Sequence, residues 1–313
     1  MIHRDKSHSR RLWLVAGGLA SALIVGSARA PIAEVSSQPP SQSPPLTGGV
    51  QELPENSEFT RLLRAGEALA KSRDYRGAIE YYDRALAAGA PTAFAESSVL
   101  TYRAGALSRL DRMEDALRDH DRAIALNQNA FVRWARAETL LKMRRYAEAL
   151  EGYDATLRLA PHDASAHVGR GQALWRLGKL EQARAAYDQA VAHKQDVHSL
   201  SSRGYFLAHQ EDLAGAIADY SRALQLAPES VGPRINRANA YAQRGEFGKA
   251  LEDYALALRT NENDAAIYRG RGWVYERQGV LELARADYER GLKLSPGDPW
   301  LRKALNDLSP RRQ

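Results

Sequence analysis

Six arginines recur at near-regular intervals, Arg103, Arg136, Arg170, Arg203, Arg237 and Arg271. In four cases an aspartate follows sixteen residues later, at Asp119, Asp219, Asp253 and Asp287. Two chemistries fit that spacing. A row of guanidinium groups could grip an acidic ligand, or each arginine could meet its aspartate across a pair of helices. The fixed interval favours the internal pair, because a ligand-facing cation needs no acid at constant distance.

The histidines offer less. His193 and His198 are five apart, wrong for one helical face, and His198 and His209 share a face but stand about 16 Å apart at 1.5 Å per residue. Neither pair can chelate a metal alone. The sequence has no glycine-rich phosphate loop, no His-Glu-x-x-His helix and no serine elbow between a strand and a helix. With no cysteine anywhere, thiol catalysis, thiolate metal sites, disulfides and a lipidated N-terminal cysteine are excluded. The expectation is a chain that is not an enzyme and needs neither cofactor nor metal.

The elements that position these residues are repeats. A small residue recurs at Ala78, Ala116, Ala149, Ala183, Ala216, Ala250 and Ala284, at intervals of 38, 33, 34, 33, 34 and 34 residues. Four residues on come Tyr82, His120, Tyr153, Tyr187, Tyr220, Tyr254 and Tyr288, and seven on a second small column from Ala85 to Gly291. These offsets share one helical face and predict a second helix in each unit. Twelve residues before each anchor, Gly66, Ala104, Ala137, Gly171, Gly204, Ala238 and Gly272 mark a first helix. Gly178, Gly245 and Gly279 suit the left-handed turn between the two, and Pro161, Pro228 and Pro296 end the unit. Asp298 can cap, and Pro299 open, a last helix with an apolar stripe of Trp300, Leu301, Ala304, Leu305 and Leu308.

In its small, aromatic and aliphatic columns the pattern closely resembles the tetratricopeptide repeat, over seven units from about Glu58 to Pro296. The resemblance implies an all-α, right-handed superhelical solenoid of about seven helix-turn-helix repeats, with a C-terminal capping helix and tail at 297–313. In that family the first helices line a concave groove. Carried over, the groove face holds Trp134, Glu138, Gln172, Trp175, Tyr205, His209, Asn239, Arg269 and Trp273, with Gly105 between them. Aromatic anchors among polar groups suit an extended peptide or a partner's helix; the competing expectation is that some of these tryptophans pack on the adjacent repeat. Asn236, Asn239 and Arg269 only partly echo the family's clamp for a C-terminal carboxylate, which disfavours a chaperone-tail receptor.

The first thirty residues differ in kind. Arg4, Lys6, Arg10 and Arg11 precede Leu12 to Ala28, a run of 17 uncharged, mostly apolar or small residues. Its length lies between a signal core and a full span, so a cleaved export signal and an uncleaved anchor both stand; either places the repeats outside the cytoplasm, periplasmic or secreted, with membrane contact only through residues 12–28. Residues 31–57, rich in Pro, Ser and Gln, read as a disordered tether. The net charge is +6, of which +3 comes from the first eleven residues, and the other basic residues are spread over every repeat, so no nucleic-acid partner is expected. The expected role is a non-catalytic protein-protein interaction scaffold of the bacterial cell envelope. The alternative is a polysaccharide-handling or secretion-complex component that stacks glycan on the same groove.

Overall fold

The computed structural model describes residues 57–308, all of them in helices and short connections. The apolar segment 12–28 and the tether through residue 56 lie outside the described residues. Among those described, no helix is long and apolar enough to cross a membrane. Fifteen helices follow in order. The first helices of the seven units are α1 (Glu58–Lys71), α3 (Ala93–Arg109), α5 (Ala130–Lys142), α7 (Ala164–Arg176), α9 (Val197–His209), α11 (Val231–Gln243) and α13 (Ala265–Arg277). The second helices are α2 (Tyr75–Ala87), α4 (Met113–Leu126), α6 (Tyr146–Leu159), α8 (Leu180–His193), α10 (Leu213–Leu226), α12 (Phe247–Thr260) and α14 (Leu281–Leu294). The capping helix α15 spans Pro299–Asp307.

Each column named above does one packing task. The anchor alanines from Ala78 to Ala284 are all 0% exposed, which lets the two helices of a unit touch along their backbones. The tyrosines Tyr82, Tyr153, Tyr187, Tyr220, Tyr254 and Tyr288 are at most 1% exposed. Their rings lie where a side chain on the first helix would otherwise stand: against Gly66, Gly171, Gly204 and Gly272 within the unit, and under Gly169 and Gly270 of the next. Burying a ring of this size contributes on the order of 3 kcal/mol, and here it joins neighbouring units as well as the two helices of one. At the C-terminus, Asp298 accepts from the Trp300 and Leu301 amides, and α15 lays Leu301 and Ala304 over the last unit.

Every first helix also touches the next first helix, whereas contacts of that extent do not occur between successive second helices. The stack therefore curves with the first helices on its inner wall. The turn within each unit takes a left-handed residue at the same register in all seven. Gly178, Gly245 and Gly279 have φ of 75°, 79° and 76°, as the sequence predicts; Arg73, Asp111, Arg144 and Glu211 adopt φ of 61–66° at the equivalent places. A side chain there costs about 1 kcal/mol. Glu211→Gly is thus expected to raise the unfolding free energy by up to about 1 kcal/mol in urea titrations, with Gly178→Ala lowering it by a similar amount.

Candidate functional site

The arginine column is internal. Arg103, Arg203, Arg237 and Arg271 each hold their aspartate through two parallel hydrogen bonds, Nε to one carboxylate oxygen and Nη2 to the other, at 2.6–2.8 Å. The remaining two, Arg136 and Arg170, reach Asp121 and Asp154 on the second helix of the preceding unit, both at 2.7 Å. Arg103 and Arg203 do both, adding Asp83 at 2.6 Å and Asp188 at 3.0 Å. No guanidinium of this column is left to grip a ligand.

The groove face is built by the stripe three residues before, one after and five after the small residue of each first helix, since steps of four stay on one side. On α7 and α9, Tyr205 and His209 of this stripe meet Trp175, which stands one residue before the stripe position Arg176. Trp175 meets Tyr205, Phe206 and His209 edge-on, with ring centroids 5.7, 5.5 and 5.0 Å away. His209 packs at 4.4 Å on Tyr205 and donates from Nδ1 to the Tyr205 carbonyl oxygen at 2.9 Å. Burial, followed by the charge of Arg176, holds the His209 imidazole below its ordinary pKa despite that bond. Gln172 sits half-buried beside this cluster, and Gly105, on α3, is exposed with open space around it.

Other predicted groove residues serve the stack. Trp273 is only 6% exposed and packs in the core with Ile235, Tyr254 and Ile267; Asn239, at 1%, accepts a hydrogen bond from the Tyr254 hydroxyl at 2.5 Å. Neither side chain is open to a partner. Glu138 accepts from the Tyr153 hydroxyl at 2.6 Å, and burial keeps its carboxyl above the usual range. Arg269 pairs with Asp298 of the cap at 3.2 Å. Trp134 is half-buried, stacked on Phe131 at 6.0 Å, with its Nε1 buried and unpartnered. For Glu138 and Asn239 the reason is that column tyrosines reach through to the inner wall from behind and take up the polar groups there.

Away from the groove, His162, His167 and His193 bring their rings within 4.7–5.2 Å. The Nε2 of His167 is committed to the Pro161 carbonyl oxygen at 3.0 Å, and among the described residues no group of three or more metal-ligating side chains is arranged to hold an ion. A polar pocket of about 260 Å³ opens between Glu229, Arg234, Leu256, Arg259 and Thr260.

With the geometry in place, comparison with known proteins gives a consistent picture. The sequence model for the tetratricopeptide repeat matches residues 135–197, 178–231 and 235–299. No curated protein matches the sequence. Among solved structures, the chain resembles the APC/C hetero-tetramer Cut9–Hcn1 with TM-score 0.62 and 16% identity, over 81% of this chain and 46% of that one, so it spans less than half of that relative's length. A tetratricopeptide repeat protein from Parabacteroides merdae gives TM-score 0.61 and 17% identity over 80% of this chain and 98% of that one. PilW, described as a type IV pilus biogenesis factor, gives TM-score 0.61 and 20% identity over 67% and 98%. At these identities the likeness is one of fold.

Proposed function

The chain belongs to the tetratricopeptide repeat family, and from that premise we propose that it is a non-catalytic scaffold of the bacterial cell envelope whose inner wall binds a peptide or protein partner. The observation that carries this reading is the shelf of Trp175, Tyr205 and His209 on α7 and α9, with open surface at Gly105 further along the same inner wall on α3, a wall already fixed by the stacked repeats. A preformed surface with rigid aromatic edges lowers the ordering cost of binding. The basic leader and the apolar run before the tether support export or anchoring, and so a periplasmic or secreted place for the repeats.

A peptide fits this wall better than a glycan. Sugar stacking needs an open aromatic face, and the rings of Trp175, Tyr205 and His209 are packed on one another while Trp273 is in the core.

The test uses two glycines with free space around them, Gly105 on the inner wall and Gly248 on the second helix α12. Gly105→Trp fills the groove without removing any packing, and Gly248→Trp places the same bulk on the other layer. Capture of a protein from envelope extract by the full chain is expected to fall at least tenfold with Gly105→Trp and to be unchanged with Gly248→Trp. Equal capture by both variants overturns the groove reading; capture of polysaccharide alone moves the function to glycan; recovery of the chain only from the cytosolic fraction overturns the envelope reading.

A further inference from the structure

Six of the seven first helices end on a basic residue at one register: Lys71, Arg109, Lys142, Arg176, His209 and Arg277, all exposed. A cation at a helix C-terminus is ordinarily explained by the helix dipole. The second helices carry last-turn cations too, Arg84, Arg158, His193, Arg259 and Lys293, but these are spread over three registers, whereas the six of the first helices share one. A basic column in one register across six units is found on the helices of the inner wall. It also continues the groove stripe, since each of its members lies four residues beyond a groove position: Gly105 to Arg109, Glu138 to Lys142, Gln172 to Arg176, Tyr205 to His209.

This column is unlike the arginine column in one respect: its first three members have no aspartate set against them. Lys71, Arg109 and Lys142 make no ion pair among the described residues, although every arginine of the other column does. Desolvation against the wall, followed by repulsion from the nearby Arg109, holds the exposed Lys142 ammonium below its ordinary pKa. Glu138, one turn before Lys142, accepts from the Tyr153 hydroxyl at 2.6 Å and attracts the Lys142 ammonium without forming an ion pair with it. Glu67, one turn before Lys71, moderates the first rung in the same way, and Arg109 has no such acid on its own stripe.

We propose that the inner wall of the first three units selects an extended acidic peptide, its carboxylates meeting Lys71, Arg109 and Lys142 in turn. The proposal rests on the reading of the inner wall as the partner site and gives that partner its chemistry. Touching helices stand roughly 10 Å apart, and an extended chain advances about 3.3 Å per residue, so the rungs match acids about three residues apart. Gly105 leaves the backbone of such a peptide room beside Arg109. A nucleic acid fits less well, because base stacking needs exposed aromatic faces and this stretch of wall offers the half-buried, Phe131-stacked Trp134.

The experiment is fluorescence anisotropy with the full chain and two labelled twelve-residue peptides, one with Glu at every third position among Ser and Gly, the other with Gln in place of Glu. The Glu peptide is expected to bind at least tenfold more tightly than the Gln peptide, and to weaken when salt is raised from 50 to 300 mM. The double variant Arg109→Gln, Lys142→Gln is expected to remove most of that preference while its thermal melt stays unchanged; Lys71→Gln gives a smaller loss. Equal binding of the two peptides overturns the cation selection while leaving a partner groove in place, whereas equal capture by Gly105→Trp and Gly248→Trp removes the groove itself. Failure of both peptides to bind, or equal competition by a single-stranded oligonucleotide, also overturns the proposal.

Discussion

Replacing Asp253 by Ala is expected to lower the unfolding free energy by about 3 kcal/mol, the usual cost of leaving one member of a buried ion pair without its partner. Asp253 has a side chain 4% exposed and receives both bonds of Arg237, itself 20% exposed. Removing the acid strands a guanidinium that links two helices of one unit and, through its bond to Ser221 Oγ at 3.0 Å, the unit before. The double replacement Arg237→Met, Asp253→Leu should recover much of the loss, because apolar groups carry no desolvation penalty. An exposed pair provides the contrast: Lys303→Ala, which breaks the contact to Asp307, should leave the urea midpoint essentially where it is. Urea unfolding followed by circular dichroism measures all three. A loss below about 1 kcal/mol for Asp253→Ala would mean that the arginine column adds little to the stack.

The second large effect is a sensitivity to acid that a single residue introduces. His120 occupies the place that tyrosine fills in the other six units, 1% exposed, with Nε2 at 3.2 Å from Thr139 Oγ1 and Nδ1 without a partner. Burial, aided by the charges of Arg136 and Lys142, lowers its pKa from 6.5 to about 3. Between those values the unfolded chain takes up a proton that the folded chain refuses. Its contribution to stability is therefore complete above about pH 6.5 and is lost as pH falls toward 3, with about 2 to 3 kcal/mol gone by pH 4.5. His120→Tyr should flatten the dependence of the urea midpoint on pH between 7.5 and 4.5 by that amount. An unchanged slope would show that the imidazole is not the group that titrates.

The fold was legible in the sequence because its columns answer to packing alone. Ala116 and Tyr220, for example, recur at positions where only a small or a flat side chain fits between helices, so spacing carries their meaning. The left-handed turns were half visible: three carry glycine, while Arg73, Asp111, Arg144 and Glu211 take the same conformation without the residue that announces it. The site was legible in its placement more than in its members. The i, i+4 stripe locates the inner wall, and Trp175, Tyr205 and His209 do meet there. The depth of a side chain depends on what comes through from the other layer, which no local pattern encodes; Tyr254 engages Asn239, and the core formed by neighbouring units closes over Trp273. The column ending in Lys71, Arg109 and Lys142 escaped notice, although a tally of the last residue of each first helix against the last of each second helix would have found it.

The central claim, that a partner lies along the inner wall, is tested most directly by photo-cross-linking from two positions in cells. A benzophenone amino acid at Gln172 faces the groove, and one at Gln189, exposed on α8, faces away from it. The account predicts a cross-linked protein adduct from position 172 that disappears when Gly105→Trp is added, and none from position 189. An adduct from 189 and not from 172 would contradict it and place the partner on the outer face.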